Sequence, residues 1–296
     1  MSKAYPNAAA FRQALEARLR TVAQERGVQI QGLRLKVAIE RVLARLFHDE
    51  NPPWLLKGGY AMELRFRPKA RTTRDVDLTI GEAAAPERLT DRLAEVHEAL
   101  DIAAKRDLGD FFEFTIPPAR NELRAAPGGG GVFGVLAKVA GREFARFHID
   151  IGFGDVLVGQ PETLEGDNLM AFAGVTPARA LAIPKAQQFA EKIHAYTFPW
   201  TDRDNTRSRD LVDMLLLIER GDLDPNEVRH AIHETFEHRK RQPPPITLQP
   251  PPSVWKVEFP AMAAEAGVST QDLDHAFSLV SAYWQGLWPL DDSKSS

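Results

Sequence analysis

Cysteine is absent from all 296 residues. That excludes disulfides, thiolate zinc sites and a cysteine nucleophile, and it fits a reducing compartment. Long apolar runs are also missing, so no segment reads as a membrane span. The opening residues, "MSKAYPNAAAFRQALEARLR", turn charged before an apolar stretch forms, so no signal peptide is read there. The expected location is cytoplasmic, with no membrane partner. A strong charge of one sign is lacking too: the formal net charge is −4 and the pI about 6.1. Any nucleic-acid partner must then be held by a local patch. Three cationic runs are candidates: Arg65, Arg67, Lys69, Arg71 and Arg74; Arg203, Arg207 and Arg209; and Arg239, Lys240 and Arg241. The glycine run Gly128–Gly131 is followed by no lysine-serine or lysine-threonine pair, as a phosphate-binding P-loop requires. It reads as a flexible hairpin connection.

What is present is an ordinary globular composition, 44% hydrophobic and 26% charged, with length enough for two lobes. Helical spacing marks Ala8–Glu25, through Phe11, Leu15, Leu19 and Val22, and again Leu33–Phe47, with Pro52 and Pro53 as the stop. "WLLKGGYAMELRF" reads as a short apolar segment, a glycine turn and a helix start. "TTRDVDLTI" alternates, placing Asp75, Asp77 and Thr79 on one strand face and Val76, Leu78 and Ile80 on the other. Pro86–Leu100 is an amphipathic helix. Phe111–Ile116 and Val132–Val139 are strands, as is "EFARFHIDIGFGD", where Phe147, Ile149 and Ile151 face away from His148 and Asp150. From Arg179 the pattern is helical, with segments after Pro184, over "SRDLVDMLLLIER" to Gly221, and over Pro225–Arg239. Two "PPP" runs make a stiff link to one or two closing helices. The predicted fold is α+β and bilobed: a mixed-sheet lobe over residues 1–178 with N-terminal helices, then a helical lobe over residues 179–296.

Carboxylates two apart on a strand share a face, with Cα atoms about 6.5–7 Å apart, so Asp75 and Asp77 can share one divalent ion or bridge two. Oxygen ligands favour a hard cation such as Mg²⁺. Asp150, on a separate alternating strand, can complete the set. Lys57, Gly58 and Gly59 precede a helix start, whose N–H donors and dipole attract phosphate. Glycine turn, paired aspartates and a third aspartate together suit a nucleoside triphosphate. The plain alternative is that Arg71 and Arg74 simply pair with Asp75 and Asp77.

"LKGGYAMELRF…RTTRDVDLTI", "FHIDIGFGD" and "AEKIHAYTF…RSRDLVDMLLL" occur in an order that resembles the AbiEii-type nucleotidyltransferase toxins, relatives of the MenT toxins in the DNA polymerase β-like superfamily. The resemblance runs from Leu55 to Leu217. It implies a nucleotidyltransferase-like sheet lobe, transfer of a nucleotide from an NTP with one or two Mg²⁺, and a cognate antitoxin. In the MenT branch the acceptor is the 3′ end of tRNA. By the resemblance, Asp75, Asp77 and Asp150 are metal ligands, Asp150 also a general base, Lys192 holds the triphosphate, and Asp210 is its polar companion. Lys57, Gly58, Gly59 and Arg71 are further nucleotide contacts. One departure stands at the glycine turn, where Gly59 and Tyr60 follow Gly58 in place of the superfamily's common serine.

Three functions remain open at this point. The first is a toxin acting on tRNA or other RNA and thereby blocking translation. The second is the same chemistry on a small molecule or a protein hydroxyl. The third is a catalytically inactive module that binds nucleotide or partner.

Overall fold

A computed structural model describes residues 5–66, 75–81, 88–123, 126–200, 205–240 and 242–288. The N-terminal pattern folds as two helices, α1 (Ala8–Arg26) and α2 (Ile30–Leu46). Asn7 caps α1 by accepting the Ala10 N–H, and Gly27 stops it in a left-handed conformation at φ 64°. The predicted stripe of Phe11, Leu15, Leu19 and Val22 is buried. Helix α2 also buries charge: Arg41 and Arg45 both bond Asp110, and Arg45 also reaches the Phe112 carbonyl. A buried carboxylate between two guanidiniums keeps its hydrogen bonds and its counter-charge together.

The chain then runs through β1 (Leu55–Lys57), α3 (Gly58–Phe66), β2 (Asp75–Ile80), α4 (Leu89–Ala104), β3 (Phe112–Thr115), β4 (Asn121–Glu122), β5 (Gly130–Val139) and β6 (Arg142–Phe153). Strands β7 (Glu162–Glu165) and β8 (Arg179–Ala182) close the sheet. The strand order is β3-β5-β6-β2-β1-β8-β7, with β4 paired to β5. Most neighbours are antiparallel, whereas β2 with β6 and β1 with β8 are parallel. Val76, Leu78, Ile149 and Ile151 are fully buried and form one hydrophobic core with α1 and α2. The alternation seen in the sequence thus sets which face of β2 and β6 is left for polar chemistry.

Two expectations fail here. The Gly128–Gly131 run is no flexible connection: Gly128 and Gly129 exchange backbone hydrogen bonds with Phe153, and Gly130 and Gly131 begin β5. A side chain at Gly130 would place its Cβ 2.2 Å from the Ile151 carbonyl oxygen, so glycine serves close strand approach. The segment from Arg179 also does not start as helix. It first adds β8 beside β1, and the helices begin only at Lys185, with Pro184 at the N-cap. Short apolar runs cannot be told apart as helix or strand by periodicity alone, which is why β8 escaped notice.

The chain divides into two compact units, one of Met1–Leu64, Thr72–Asp155 and Pro161–Ala182, the other of Arg65–Arg71, Val156–Gln160 and Ile183–Ser296. The second contains α5 (Lys185–Tyr196), α6 (Ser208–Arg220), α7 (Pro225–Arg239), α8 (Phe259–Ala266) and α9 (Leu273–Leu287). Helix α5 packs on α6 and α7, and α6 packs on α8 and α9. The proline-rich link is tied to this bundle by aromatic donors. The Trp284 indole donates to the Pro245 carbonyl, and the Tyr196 hydroxyl donates to that of Gln249. Trp255 and Trp284 are buried, while Trp288 is 41% exposed. Among the described residues, no helix is long and apolar enough to cross a membrane.

Candidate active site

Strand β2 lies between β1 and β6, so its polar face gathers side chains from three strands. Lys57 of β1 pairs with Asp77, and Asp77 pairs in turn with Asp150 of β6. Directly paired residues project to the same face, so this row carries one ammonium and two carboxylates. One row along, Asp75 pairs with His148, whose Nδ1 lies 3.8 Å from the Asp75 carboxylate. The polar face grows drier along β2: the Asp75 side chain is 59% exposed, Asp77 is half-buried and Thr79 is buried. Asp75 therefore stands at the wet end of the strand, and Asp77 with Asp150 nearer the protein interior.

The Asp150 carboxyl titrates well above its usual range, at about 6. Burial is the main cause, with repulsion from Asp77 and then Asp75 adding to it and His148 partly opposing it. Such a concentration of negative charge fits a divalent cation, because the donors are hard oxygens and their repulsion is relieved by positive charge. As they stand, no three histidine, aspartate or glutamate side chains among the described residues are gathered closely enough to enclose a metal ion.

Gly58 is fitted to Asp77. Its φ is 64°, and a Cβ there would fall 1.9 Å from Asp77 Oδ2. Only glycine allows both the left-handed backbone and the carboxylate lying against it. The glycine turn is compressed: Gly58 follows β1 directly and opens α3, with Gly59 buried behind it. The positive end of the α3 dipole thus begins at the residue that touches Asp77. Lys57 has a carboxylate partner, Asp155, at 2.5 Å.

Lys192 and Asp210 belong to the second unit. Lys192, on α5, is buried and donates to Asp210 at 3.1 Å and Asp213 at 2.7 Å. Asp210 and Asp213 are three apart on α6 and share its face. Arg207 approaches Asp210 at 3.5 Å and lies over the Trp200 ring. Arg71 falls outside the described residues, as do Arg67, Lys69, Arg74, Arg203 and Arg241 of the cationic runs.

Asp155 is the residue that reading the sequence missed. It follows the alternating part of β6 and carries no periodic signal. Its only mark is the Gly-Asp pair closing "IGFGD", where Gly154 turns the chain at φ 75°.

A family model described as "Nucleotidyl transferase AbiEii toxin, Type IV TA system" matches residues 41–280, a span that includes Lys57, Asp75, Asp77, Asp150, Lys192 and Asp210. Among solved structures, MenT4, a nucleotidyltransferase toxin from Mycobacterium tuberculosis H37Rv, is similar at TM-score 0.59 and 17% identity over 94% of this chain and 91% of that one. JHP933 from Helicobacter pylori is similar at TM-score 0.50 and 13% identity, covering 88% and 92% of the two chains. At these identities the likeness is one of fold. A search of curated protein sequences found no match.

Proposed function

Because the chain belongs to the AbiEii family of nucleotidyl transferase toxins of type IV toxin–antitoxin systems, we propose that it transfers a nucleotide from an NTP to the 3′ end of tRNA and so blocks translation. The observation carrying this reading is the direct pairing of Asp77 with Asp150, with Asp75 one row away on the same face. Transfer of a nucleotide asks a protein for charge neutralisation, alignment and a proton acceptor. Asp75, Asp77 and Asp150 would hold Mg²⁺, which when bound neutralises phosphate oxygens and polarises the phosphorus they surround.

The chain's own groups do the rest. Asp150, ionised above about pH 6, accepts the proton of the attacking hydroxyl on its carboxylate. Lys192 holds the triphosphate, and Asp210 and Asp213 fix the direction of its ammonium. Gly58 and Gly59, in the first turn of α3, offer a helix N-terminus to phosphate oxygens. The cationic runs supply contacts for an RNA backbone, which binds mainly through its phosphates. Family membership implies a cognate antitoxin as the partner that limits this activity.

The test is a transfer assay with each α-labelled NTP in turn, Mg²⁺ and total tRNA, beside Asp75→Ala and Lys192→Ala. Label should enter tRNA with the unmodified chain and disappear with both variants. NTP binding without label in RNA would overturn the RNA acceptor and point to a small molecule or protein hydroxyl. Label persisting in both variants would overturn the assigned site.

A further inference from the structure

The polar face of the sheet continues past Asp150 onto β5. Strand β5 pairs with β6 on the side away from β2, so Gly134 extends the row of Asp75 and His148, and Val132 extends the row of Asp77 and Asp150. Directly paired residues project to one face, so a side chain at Gly134 would stand beside His148. Another residue fills that place. Arg120, in the link between β3 and β4, lays its guanidinium there: Cζ and Nε lie 3.5 Å, and Nη2 3.6 Å, from where a Gly134 Cβ would be. Three atoms of a planar group at nearly one distance put its flat side on the strand, with the N–H edge turned away from it. The Arg120 backbone N–H donates to the Val132 carbonyl at 2.9 Å, which fixes the residue to β5. Arg120 is exposed, and its guanidinium has no hydrogen-bond or ion-pair partner among the described residues. A planar cation seated in this way, with its donors to spare, suits a phosphodiester, which arginine binds through paired N–H groups.

Its place on the sheet decides which phosphate that is. The strands run β5, β6, β2, β1, and the α3 N-terminus offered to the nucleotide's phosphates follows β1 directly. In-line transfer sets the attacking and leaving oxygens on opposite sides of the phosphorus. The acceptor oxygen bonds the α-phosphorus as the bond to pyrophosphate breaks, and the hydroxyl proton passes to Asp150. With pyrophosphate leaving on the β1 flank, the acceptor enters over β6 and its chain continues over β5. Gly134 is the diagonal neighbour of Asp150 across these strands, about 7–8 Å away. That is on the order of the span from a terminal 3′ hydroxyl to the phosphate of the same nucleotide.

We propose that Arg120, seated on Gly134, holds the last phosphodiester of the acceptor strand, so that an RNA 3′ end crosses the β5–β6 face to reach Asp150. This rests on the nucleotidyltransferase reading of that face, and it places an acceptor contact outside the three cationic runs.

The test follows binding of a 5′-labelled single-stranded RNA to the full chain by fluorescence anisotropy, without NTP, over a range of salt. Arg120→Met should weaken binding about five- to tenfold. It should also reduce the slope of log affinity against log salt by about 0.7, the share of one phosphate on a single strand. Replacing the last phosphate of the RNA by an uncharged methylphosphonate should weaken binding to the unmodified chain by a similar factor. The same probe should cost Arg120→Met nothing further, since both changes remove one contact. In the transfer assay, Arg120→Met should raise KM for tRNA and leave KM for NTP unchanged. Unchanged affinity in Arg120→Met would overturn the proposal, as would losses that add in full when variant and probe are combined. An unmodified chain indifferent to the methylphosphonate would overturn it without recourse to any variant. A raised KM for NTP alone would assign a nucleotide phosphate to Arg120 and overturn it too. An unmodified chain that binds no RNA would overturn the RNA-acceptor reading and the proposal with it, an outcome distinct from RNA binding that ignores Arg120.

Discussion

Asp150→Asn should make the folded chain more stable while removing its activity. The Asp150 carboxyl is raised from 3.8 to about 6 by burial and by Asp77 and Asp75. A raised carboxyl favours the protonated form in the folded state, so its contribution to stability is fully present below the unfolded value, near pH 4. That contribution is lost as pH rises through about 6. At about 1.4 kcal/mol per unit the shift corresponds to about 3 kcal/mol, but Asp150 is only partly buried and water screens the repulsion, so ionising it in the folded state costs about 1–2 kcal/mol. Asparagine resembles the protonated acid at every pH. The variant should therefore match the unmodified chain near pH 4 and exceed it by about 1–2 kcal/mol at pH 8, a rise of a few degrees in melting temperature. Thermal melts at pH 4.5, 6 and 8 in EDTA would measure the difference, and Mg²⁺ at pH 8 should narrow it by stabilising only the unmodified chain. A difference that is the same at all three pH values, or a variant less stable at pH 8, would refute the account of Asp150 as a repelled carboxylate.

Gly58→Ala should lose about 1–2 kcal/mol to the left-handed backbone alone, and its new Cβ, 1.9 Å from Asp77 Oδ2, should displace that carboxylate and weaken Mn²⁺ binding. Urea denaturation with a metal titration would check both effects. Lys192→Met should cost about 3–5 kcal/mol, because Asp213, buried to 1%, and Asp210 would lose the cation between them. Adding Asp213→Leu should recover much of this loss, as read from denaturant midpoints. Asp110→Asn should be similarly destabilising, since two buried guanidiniums depend on that carboxylate. Burial alone would raise the Asp110 carboxyl, but the bonds and charges of Arg45 and Arg41 outweigh it and hold it below 3.8. Its stabilising contribution is thus present above the ordinary carboxylate range and lost as pH falls through the lowered value, so Asn should flatten the acid limb of a stability profile.

The sequence by itself determined the elements whose periodicity is strong and local. The stripe of α1, the alternation of β2 and β6 and the helices α5 to α7 follow from side-chain spacing, because one face of each must be buried. The same spacing put Asp75 with Asp77, and His148 with Asp150, on the faces turned from the core. Register was not legible: that Asp77 stands opposite both Lys57 and Asp150 depends on which strands meet, and that is decided by long-range packing. The glycines at 128–131 show the same limit, since flexibility and close strand approach call for the same residue. Asp110, which sustains two buried arginines, lies 65 and 69 residues from its partners. Asp155 lies 98 residues from Lys57. No local pattern marks such pairs, because only the folded chain brings the charges close enough, in a medium dry enough, for them to need each other.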